Sequence, residues 1–118
     1  VVDDQISGPT SARLLAEVTA LILAQGRDDP VGYIREKAGL YHLAGSGACS
    51  RYEWAQAILE LDPQKSEQKV RQLLPAKSSQ FPTPAERPLV SVLECGKFER
   101  TFYYSFPPWK NGLKLALQ

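Results

Sequence analysis

The chain has 118 residues, a mass of 13.1 kDa and a formal net charge of +1 at pH 7. Apolar residues make up 43% of it and charged residues 23%, values that are typical of a globular domain and exclude a disordered chain. A charge so near zero argues against a dedicated binder of nucleic acid or of an anionic membrane, and no apolar run is long enough to span a bilayer. Cys49 and Cys95 are far apart in the sequence, with no Cys-x-x-Cys spacing, and predict reduced thiols in a cytoplasmic protein.

The start of the chain is unusual for a complete protein. Methionine is absent, and the chain begins Val1-Val2-Asp3-Asp4. Because a complete translation product normally starts with Met, this pattern favours a segment of a longer protein. We therefore expect the function to depend partly on residues outside the chain.

The N-terminal part predicts one long helix that follows a turn. Residues 1–5 are either a short strand or an entering loop, and residues 7–10 have the composition of a turn. Thr10 is a candidate N-cap for a helix over Ser11–Gln25, and Gly26 is placed to end that helix. Apolar side chains at helical spacing predict one wide, largely buried face: Leu14, Leu15, Val18, Leu21 and Ile22.

The central part predicts a strand and then a second helix. Residues 27–38 are polar and charged and are interpreted as a connection, whereas residues 40–44 predict a short buried strand. Ser50 and Glu53 have the spacing of a capping box, and the helix that they open is predicted to end at Leu61. The inward face of this helix is predicted to hold Trp54, Ala55, Ile58 and Leu59.

The C-terminal part is rich in proline and less regular. Residues 64–69 can continue the preceding helix, and residues 70–74 are ambiguous between helix and strand. Pro75 to Pro88 predicts an extended or looped stretch, and residues 89–93 predict a strand or an extended loop. Two helical segments are predicted after it: 97–102, and a last helix that begins at Pro107-Pro108.

These elements predict an α+β fold with two or three short strands and three main helices. So few short strands are marginally stable by themselves. We therefore expect the chain to pack against a sheet that lies outside it.

Two motifs are similar to parts of dinucleotide-dependent enzymes. Tyr33 and Lys37 have the Tyr-x-x-x-Lys spacing of a proton-donating tyrosine, but they lie in a charged connector and are interpreted as solvated. The run Gly45 to Ser50 follows a predicted strand, as a pyrophosphate-binding loop does, but it lacks the third glycine and is interpreted as a tight turn. His42 is the only histidine and cannot form a metal site alone. We therefore predict no catalytic, cofactor-binding or metal-ligating residue in this chain.

Two other segments are candidates for ligand binding. Asp4 and Gln5 precede the turn that leads to Pro9 and Thr10, and polar side chains beside a helix N-terminus can meet an anion or a sugar. A simple turn with an N-cap also explains these residues. Arg87 lies on a proline-stiffened loop, where a guanidinium suits a pyrophosphate, and an ordinary surface arginine is the alternative.

Seven segments, taken in order along the chain, resemble one enzyme family. They are 2–5 with Pro9-Thr10, 39–45, 50–55, 81–85 with Arg87-Pro88, 91–95, 97–102 and 109–117. Together they resemble the C-terminal third of the dTDP-4-dehydrorhamnose reductases, which are extended short-chain dehydrogenases. The resemblance covers nearly the whole chain.

The resemblance implies that residues 1–118 are a single C-terminal substrate-binding domain, the helix-rich substrate-side lobe of an extended Rossmann-type reductase. The N-terminal NADP-binding Rossmann domain, with its catalytic residues, is then absent here. The family reduces a dTDP-bound 4-keto sugar to dTDP-L-rhamnose for surface polysaccharide, with NADPH or NADH as the reductant. By itself the chain is expected to bind no nicotinamide cofactor and to transfer no hydride.

The resemblance also implies a binding site. Asp4, Gln5, Pro9 and Thr10 are expected to shape the sugar-nucleotide cleft, and Arg87 is expected to contact a phosphate. The expected partners are the dTDP-sugar nucleotide and the missing Rossmann domain, with neither nucleic acid nor membrane.

An uncovered domain face should be apolar, so we expect self-association through that face or through the edge of the 40–44 strand. Three alternatives stay open. In the first, the chain is part of a non-catalytic regulatory or interaction subunit of the same fold. In the second, it is part of a related sugar-nucleotide reductase or epimerase. In the third, it is a free-standing helical binding module.

Overall fold

A computed structural model describes residues 1–118 as five helices beside a small three-stranded sheet. The helices are α1 (Ala12–Gln25), α2 (Pro30–Lys37), α3 (Arg51–Leu61), α4 (Gly96–Phe102) and α5 (Trp109–Ala116). The strands are β1 (Ile6–Ser7), β2 (Cys49–Ser50) and β3 (Val90–Ser91). Two short 3₁₀ turns lie at Lys65–Glu67 and Ser78–Gln80. The α+β prediction is confirmed.

Helix α1 begins one residue later than predicted. Ser11, and not Thr10, is the N-cap, because the Ser11 hydroxyl accepts a hydrogen bond from the Leu14 N–H at 3.5 Å. The helix ends at Gly26, as the sequence predicts. The Thr10 hydroxyl is used elsewhere, in a contact between two loops.

The prediction of a plain connection over residues 27–38 is wrong, because most of it is helix α2. The Asp29 side chain caps this helix by accepting a hydrogen bond from the Gly32 N–H at 3.0 Å. Pro30 occupies the first turn, where it needs no N–H partner. Arg35 and Lys37 lie in the last turn, where positive charge favours the helix dipole. Local capping thus outweighs the polar composition.

The predicted strand over residues 40–44 does not form. The segment is irregular and pairs with no strand. Instead, the Tyr41 ring packs against two aromatic rings of α4, and the Lys97 ammonium donates to the Leu40 carbonyl at 2.9 Å. A β-like pattern needs a neighbouring strand to pair with, and here helix α4 occupies that side of the segment.

The sheet has the order β2-β1-β3, with β1 antiparallel to β2 and parallel to β3. Ile6 lies opposite Ser50 on one side and Val90 on the other. Only residues 90–91 of the predicted 89–93 strand are paired. This register places the start of the chain next to the start of α3 and next to the proline-rich loop, and so it builds the candidate site.

Helix α3 begins at the predicted capping box. The Ser50 hydroxyl accepts from the Glu53 N–H at 3.1 Å, while the Glu53 carboxylate accepts from the Ser50 N–H at 2.7 Å. The predicted inward face is partly wrong, because Ala57 is the buried residue and the Trp54 side chain is 38% exposed. Ala57 packs with Cys49 in the core, and this rotation turns Trp54 toward a cleft.

The buried core forms two small clusters. The larger cluster comprises Val18, Phe98, Phe102 and Phe106, and the smaller comprises Cys49, Ala57 and Trp109. Only 11 of 118 residues are buried. The radius of gyration is 17.8 Å, whereas a compact domain of this length has about 13–14 Å. The predicted apolar face of α1 is mostly confirmed: Val18 is buried, and Leu14, Leu15 and Ile22 are half-buried against the larger cluster. Leu21 is the exception, at 47% exposed.

Candidate substrate-binding cleft

The N-terminal residues are tied to the loop that follows α3. The Asp4 carboxylate accepts hydrogen bonds from the Ser78 hydroxyl at 2.7 Å and from the Ser78 N–H at 2.9 and 3.1 Å. These bonds lower the pKa of Asp4 below its usual value of 3.8. Beside them, the Lys77 ammonium lies 2.9 Å from the Asp3 carboxylate. Residues 74 positions apart are therefore held together.

Gln5 continues these contacts toward α3. Its side-chain nitrogen donates to the Ser78 hydroxyl oxygen at 3.0 Å, and its side-chain oxygen accepts from the Arg51 Nε at 2.9 Å. The Gln5 backbone carbonyl also accepts from the Arg51 N–H at 3.1 Å. The first N–H of α3 thereby gains a partner that the helix itself cannot supply.

Gln5, Arg51 and Arg87 line one cleft of about 220 Å³. All three also line an adjoining groove of about 750 Å³, which continues along the proline-rich loop. Neither arginine is within salt-bridge distance of a carboxylate, and Glu86 is the one acidic residue that lines the groove. The groove therefore carries unpaired positive charge, which favours an anionic ligand.

A second cleft, of about 230 Å³, lies on the other side of Arg51 and contains Pro9, Thr10 and Trp54. The Thr10 hydroxyl is already engaged, since it donates to the Gly8 carbonyl and accepts from the Gly45 N–H, both at 3.0 Å. Thr10 therefore holds the shape of this cleft.

The predicted site residues thus fall into three positions. Gln5 and Arg87 share one cleft, and Pro9 and Thr10 share the next. Asp4 lines neither cleft, because its carboxylate faces Ser78. That all five contact substrate stays a prediction.

Arg51, which the sequence analysis treated only as part of a capped helix, connects the two clefts. One local signal marks it. A positive side chain at the first position of a helix opposes the helix dipole, which favours acidic residues there. Arg51 is hydrogen bonded to Gln5, which lies 46 residues away in the chain. That contact could not be predicted from the sequence.

The Tyr33–Lys37 pair is engaged in other surface contacts. The Tyr33 hydroxyl donates to the Gln25 side chain at 2.9 Å, and the Lys37 ammonium lies 2.7 Å from Glu36. This hydrogen bond to Glu36 raises the pKa of Lys37. The geometry agrees with a structural role for both residues.

The glycine turn before α3 does not fit a dinucleotide. A Cβ on Gly45 would lie 2.4 Å from the Pro9 carbonyl oxygen, so the glycine is required for close packing of two loops. The Gly45 N–H donates to Thr10, and the Ser46 N–H donates to the Pro107 carbonyl at 3.1 Å. Amides that are bonded inside the protein are not available to a pyrophosphate. That the chain binds no nicotinamide cofactor stays a prediction.

No group of three or more His, Cys, Asp or Glu side chains is arranged to hold a metal ion. No helix combines the length and the apolar character that crossing a membrane requires.

Comparison with known proteins identifies the family of the chain. The family model described as the RmlD substrate binding domain matches residues 1–118. The chain belongs to this family. The resemblance drawn from the sequence segments is therefore confirmed.

Several curated relatives are dTDP-4-dehydrorhamnose reductases, and they are longer than this chain. The dTDP-4-dehydrorhamnose reductases of Escherichia coli K12 and Salmonella typhimurium LT2 are each 34% identical over 99% of the chain. The solved reductase of Clostridium acetobutylicum superposes with a TM-score of 0.76 at 31% identity, and the NADP complex from Bacillus anthracis with 0.72 at 27%. Both superpositions cover 98% of the chain and 36% of the solved structure. The chain spans about 38% of the length of these curated relatives.

Acidification should weaken the contact between the N-terminal residues and the Ser78–Gln80 turn in this RmlD-family domain. Because the pKa of Asp4 is lower in the folded protein, Asp4 stabilises the fold above its usual pKa of 3.8. This stabilisation is lost as the pH falls through the lowered value. We expect Asp4→Asn to be less stable than the wild type at about pH 6, and the difference to shrink progressively as the pH falls below 3.8.

Melting temperatures at several pH values measure this effect. Asp28→Asn is the matched control, because the Asp28 side chain is 96% exposed. The stability of Asp4→Asn should still fall in acid, because a second carboxylate contributes. The hydrogen bond from the Gln64 N–H lowers the pKa of Asp62 as well. A constant difference between wild type and Asp4→Asn across this pH range would contradict the assignment.

Proposed function

We propose that this chain is the substrate-binding lobe of a dTDP-4-dehydrorhamnose reductase. The whole enzyme would reduce dTDP-4-dehydro-L-rhamnose to dTDP-L-rhamnose with NADPH, for surface polysaccharide. The observation that carries the proposal is the groove of about 750 Å³, in which Arg51 and Arg87 have no carboxylate partner. Its volume lies in the range of about 300–1,000 Å³ that is usual for ligand pockets.

In this proposal the lobe contributes binding and orientation. A guanidinium binds phosphate through paired N–H donors, and a loop stiffened by Pro82, Pro84 and Pro88 limits the movement of Arg87. Holding the diphosphate places the sugar in a defined position, which lowers the entropic cost of reaction. The nicotinamide cofactor, NADPH or NADH, would be bound by a domain outside this chain. The chain alone would transfer no hydride.

Calorimetric titration of the 118-residue chain with dTDP tests the proposal. We expect weak dTDP binding by the wild type, and binding at least about tenfold weaker for Arg87→Ala, since a hydrogen bond to a charged group contributes about 1.5–3 kcal/mol. Arg71→Ala is the matched control, because Arg71 is exposed and lines neither the cleft nor the groove.

Parallel titrations separate the alternatives. Preference for UDP or GDP over dTDP would favour a related sugar-nucleotide enzyme. Tight NADPH binding, or dTDP affinity that Arg87→Ala leaves unchanged, would contradict the proposal.

We also propose that the open face of the chain normally contacts the cofactor-binding domain. The accessible surface is 8664 Å², whereas a compact monomer of this mass exposes about 6,400 Å². Strand β3 is an edge strand, and the residues in and around it are exposed and apolar: Leu89, Val90, Val92 and Leu93. This edge replaces the expected 40–44 edge, which does not exist.

The exposed apolar side chains in and around the edge strand β3 should drive self-association of the isolated chain. Sedimentation velocity at increasing concentration measures it, and we expect the average mass to rise above that of a monomer. A single monomeric species at high micromolar concentration would exclude self-association.

A cytoplasmic location is part of the same proposal. Cys49 and Cys95 are both free, which is the state that a reducing compartment maintains. A disulfide involving either cysteine in protein alkylated at the moment of cell lysis would contradict this location.

A further inference from the structure

We propose that Arg51 is a second phosphate-binding residue of the groove, and that Asp4 and Ser78 are positioning residues that hold it through Gln5. The inference rests on the proposed function, because it takes the ligand to be a nucleoside diphosphate sugar. It adds that Arg51 and Arg87 act together on the diphosphate.

The hydrogen bonds run in one direction only. An ionised Asp4 carboxylate can only accept hydrogen bonds, so the Ser78 hydroxyl donates a hydrogen bond to it at 2.7 Å. The Ser78 oxygen then accepts from the Gln5 amide nitrogen at 3.0 Å. The Gln5 amide oxygen is consequently turned toward Arg51 and accepts from its Nε at 2.9 Å.

This arrangement fixes the Arg51 side chain and leaves its outer nitrogens free. Of the Arg51 side-chain nitrogens, only Nε is hydrogen bonded within the protein, and no carboxylate lies within salt-bridge distance. The terminal N–H groups therefore remain available as a fork of donors. An arginine that is held before the ligand arrives loses less conformational freedom on binding.

Arg51 and Arg87 line the same cleft of about 220 Å³. Gln5 precedes the central strand β1, whereas Arg51 follows one edge strand, β2, and Arg87 precedes the other, β3. A diphosphate offers two guanidinium groups more negative charge and more acceptor oxygens than a monophosphate does. The pair therefore favours a diphosphate over a monophosphate.

Titration with dTDP and with dTMP, followed by NMR of the arginine Nε–H signals, tests the inference. In the free wild-type chain the Arg51 Nε–H should exchange with water more slowly than the Nε–H of the exposed Arg71, because it is bonded to Gln5. On adding dTDP, the Arg51 and Arg87 signals should shift with one common affinity, while the Arg71 signal stays constant. We expect dTDP to bind at least about tenfold more tightly than dTMP.

Variants of Arg51 and of Ser78 separate binding from positioning. Arg51→Gln should reduce the dTDP-to-dTMP preference severalfold, and Arg51→Lys should restore only part of it, since lysine lacks the planar fork. Ser78→Ala should speed exchange of the Arg51 Nε–H and weaken dTDP more than dTMP. Ser66→Ala, which alters a serine in the other 3₁₀ turn, is the matched control and should change neither.

The outcomes are distinguishable. If dTDP shifts Arg87 but not Arg51, or if Arg51→Gln keeps the wild-type preference for dTDP, the role of Arg51 is overturned and the proposed function stands. Equal shifts of all arginines would mean unspecific ionic binding and would overturn the inference. A wild-type chain in which no arginine responds to dTDP overturns the proposed function and this inference with it.

Discussion

Replacing Phe102 by alanine should lower the free energy of unfolding by about 3–5 kcal/mol. Phe102 is 5% exposed and belongs to the larger core cluster. Its ring centroid lies 5.0 Å from that of Tyr41 and 5.0 Å from that of Phe98, so one truncation removes contacts to a loop and to its own helix. Since few residues are buried, little of the remaining core can compensate.

Urea unfolding followed by far-UV circular dichroism measures this loss. Domains commonly have only about 5–15 kcal/mol of stability, so Phe102→Ala should be near its unfolding midpoint at low denaturant. Phe102→Leu should lose less, because it keeps most of the apolar volume. Phe81→Ala is the control for loss of a ring, since Phe81 is 58% exposed. A Phe102→Ala protein as stable as Phe81→Ala would show that this cluster is not the core.

Gly45→Ala should be destabilised by about 1–3 kcal/mol, the usual cost of overpacking. The new Cβ would lie 2.4 Å from the Pro9 carbonyl oxygen and 3.4 Å from the Trp109 Cα, and neither backbone atom can move freely. Relief requires the two loops to separate, which also strains the hydrogen bond between Thr10 and Gly45. The cleft that Pro9 and Thr10 line should change shape as a result.

The same unfolding assay, with Gly39→Ala as a matched control, measures this second effect. A Cβ on Gly39 would lie 3.2 Å from the Lys97 ammonium, and the end of a flexible side chain can move away. Its other neighbours, two carbons of the Tyr41 ring, would lie at ordinary contact distances of 3.6 and 3.7 Å. Gly39→Ala should therefore unfold close to the wild type. Equal stability of Gly45→Ala and Gly39→Ala would mean that the loops do not approach as closely as described.

Several elements are predictable from the sequence because they depend on neighbouring residues. The Ser50–Glu53 capping box and the end of α1 at Gly26 are formed within one helical turn. Helix α2 has an equally local signal, the Asp29 cap before Pro30, and the polar composition of the segment concealed it. The seven segments that resemble the reductase family are also short stretches of sequence, and their order along the chain correctly indicated the family.

The failures share a physical cause, which is that their partners are distant in the chain. The 40–44 segment has the pattern of a strand, but a strand needs another strand beside it, and α4 lies there instead. Trp54 has the spacing of a core residue, but the packing of Ala57 in the core turns it outward.

The candidate site also combines features that depend on neighbouring residues with features that depend on distant ones. Residue type and the prolines around Arg87 are visible in the sequence. They were enough to predict that Gln5 suits an anion or a sugar and that Arg87 suits a pyrophosphate. That Arg51 lines the same cleft and that Asp4 faces Ser78 depends on contacts between distant parts of the chain. Three two-residue strands bring these groups together across 46 and 74 residues of chain, and such a register follows from the packing of the whole domain.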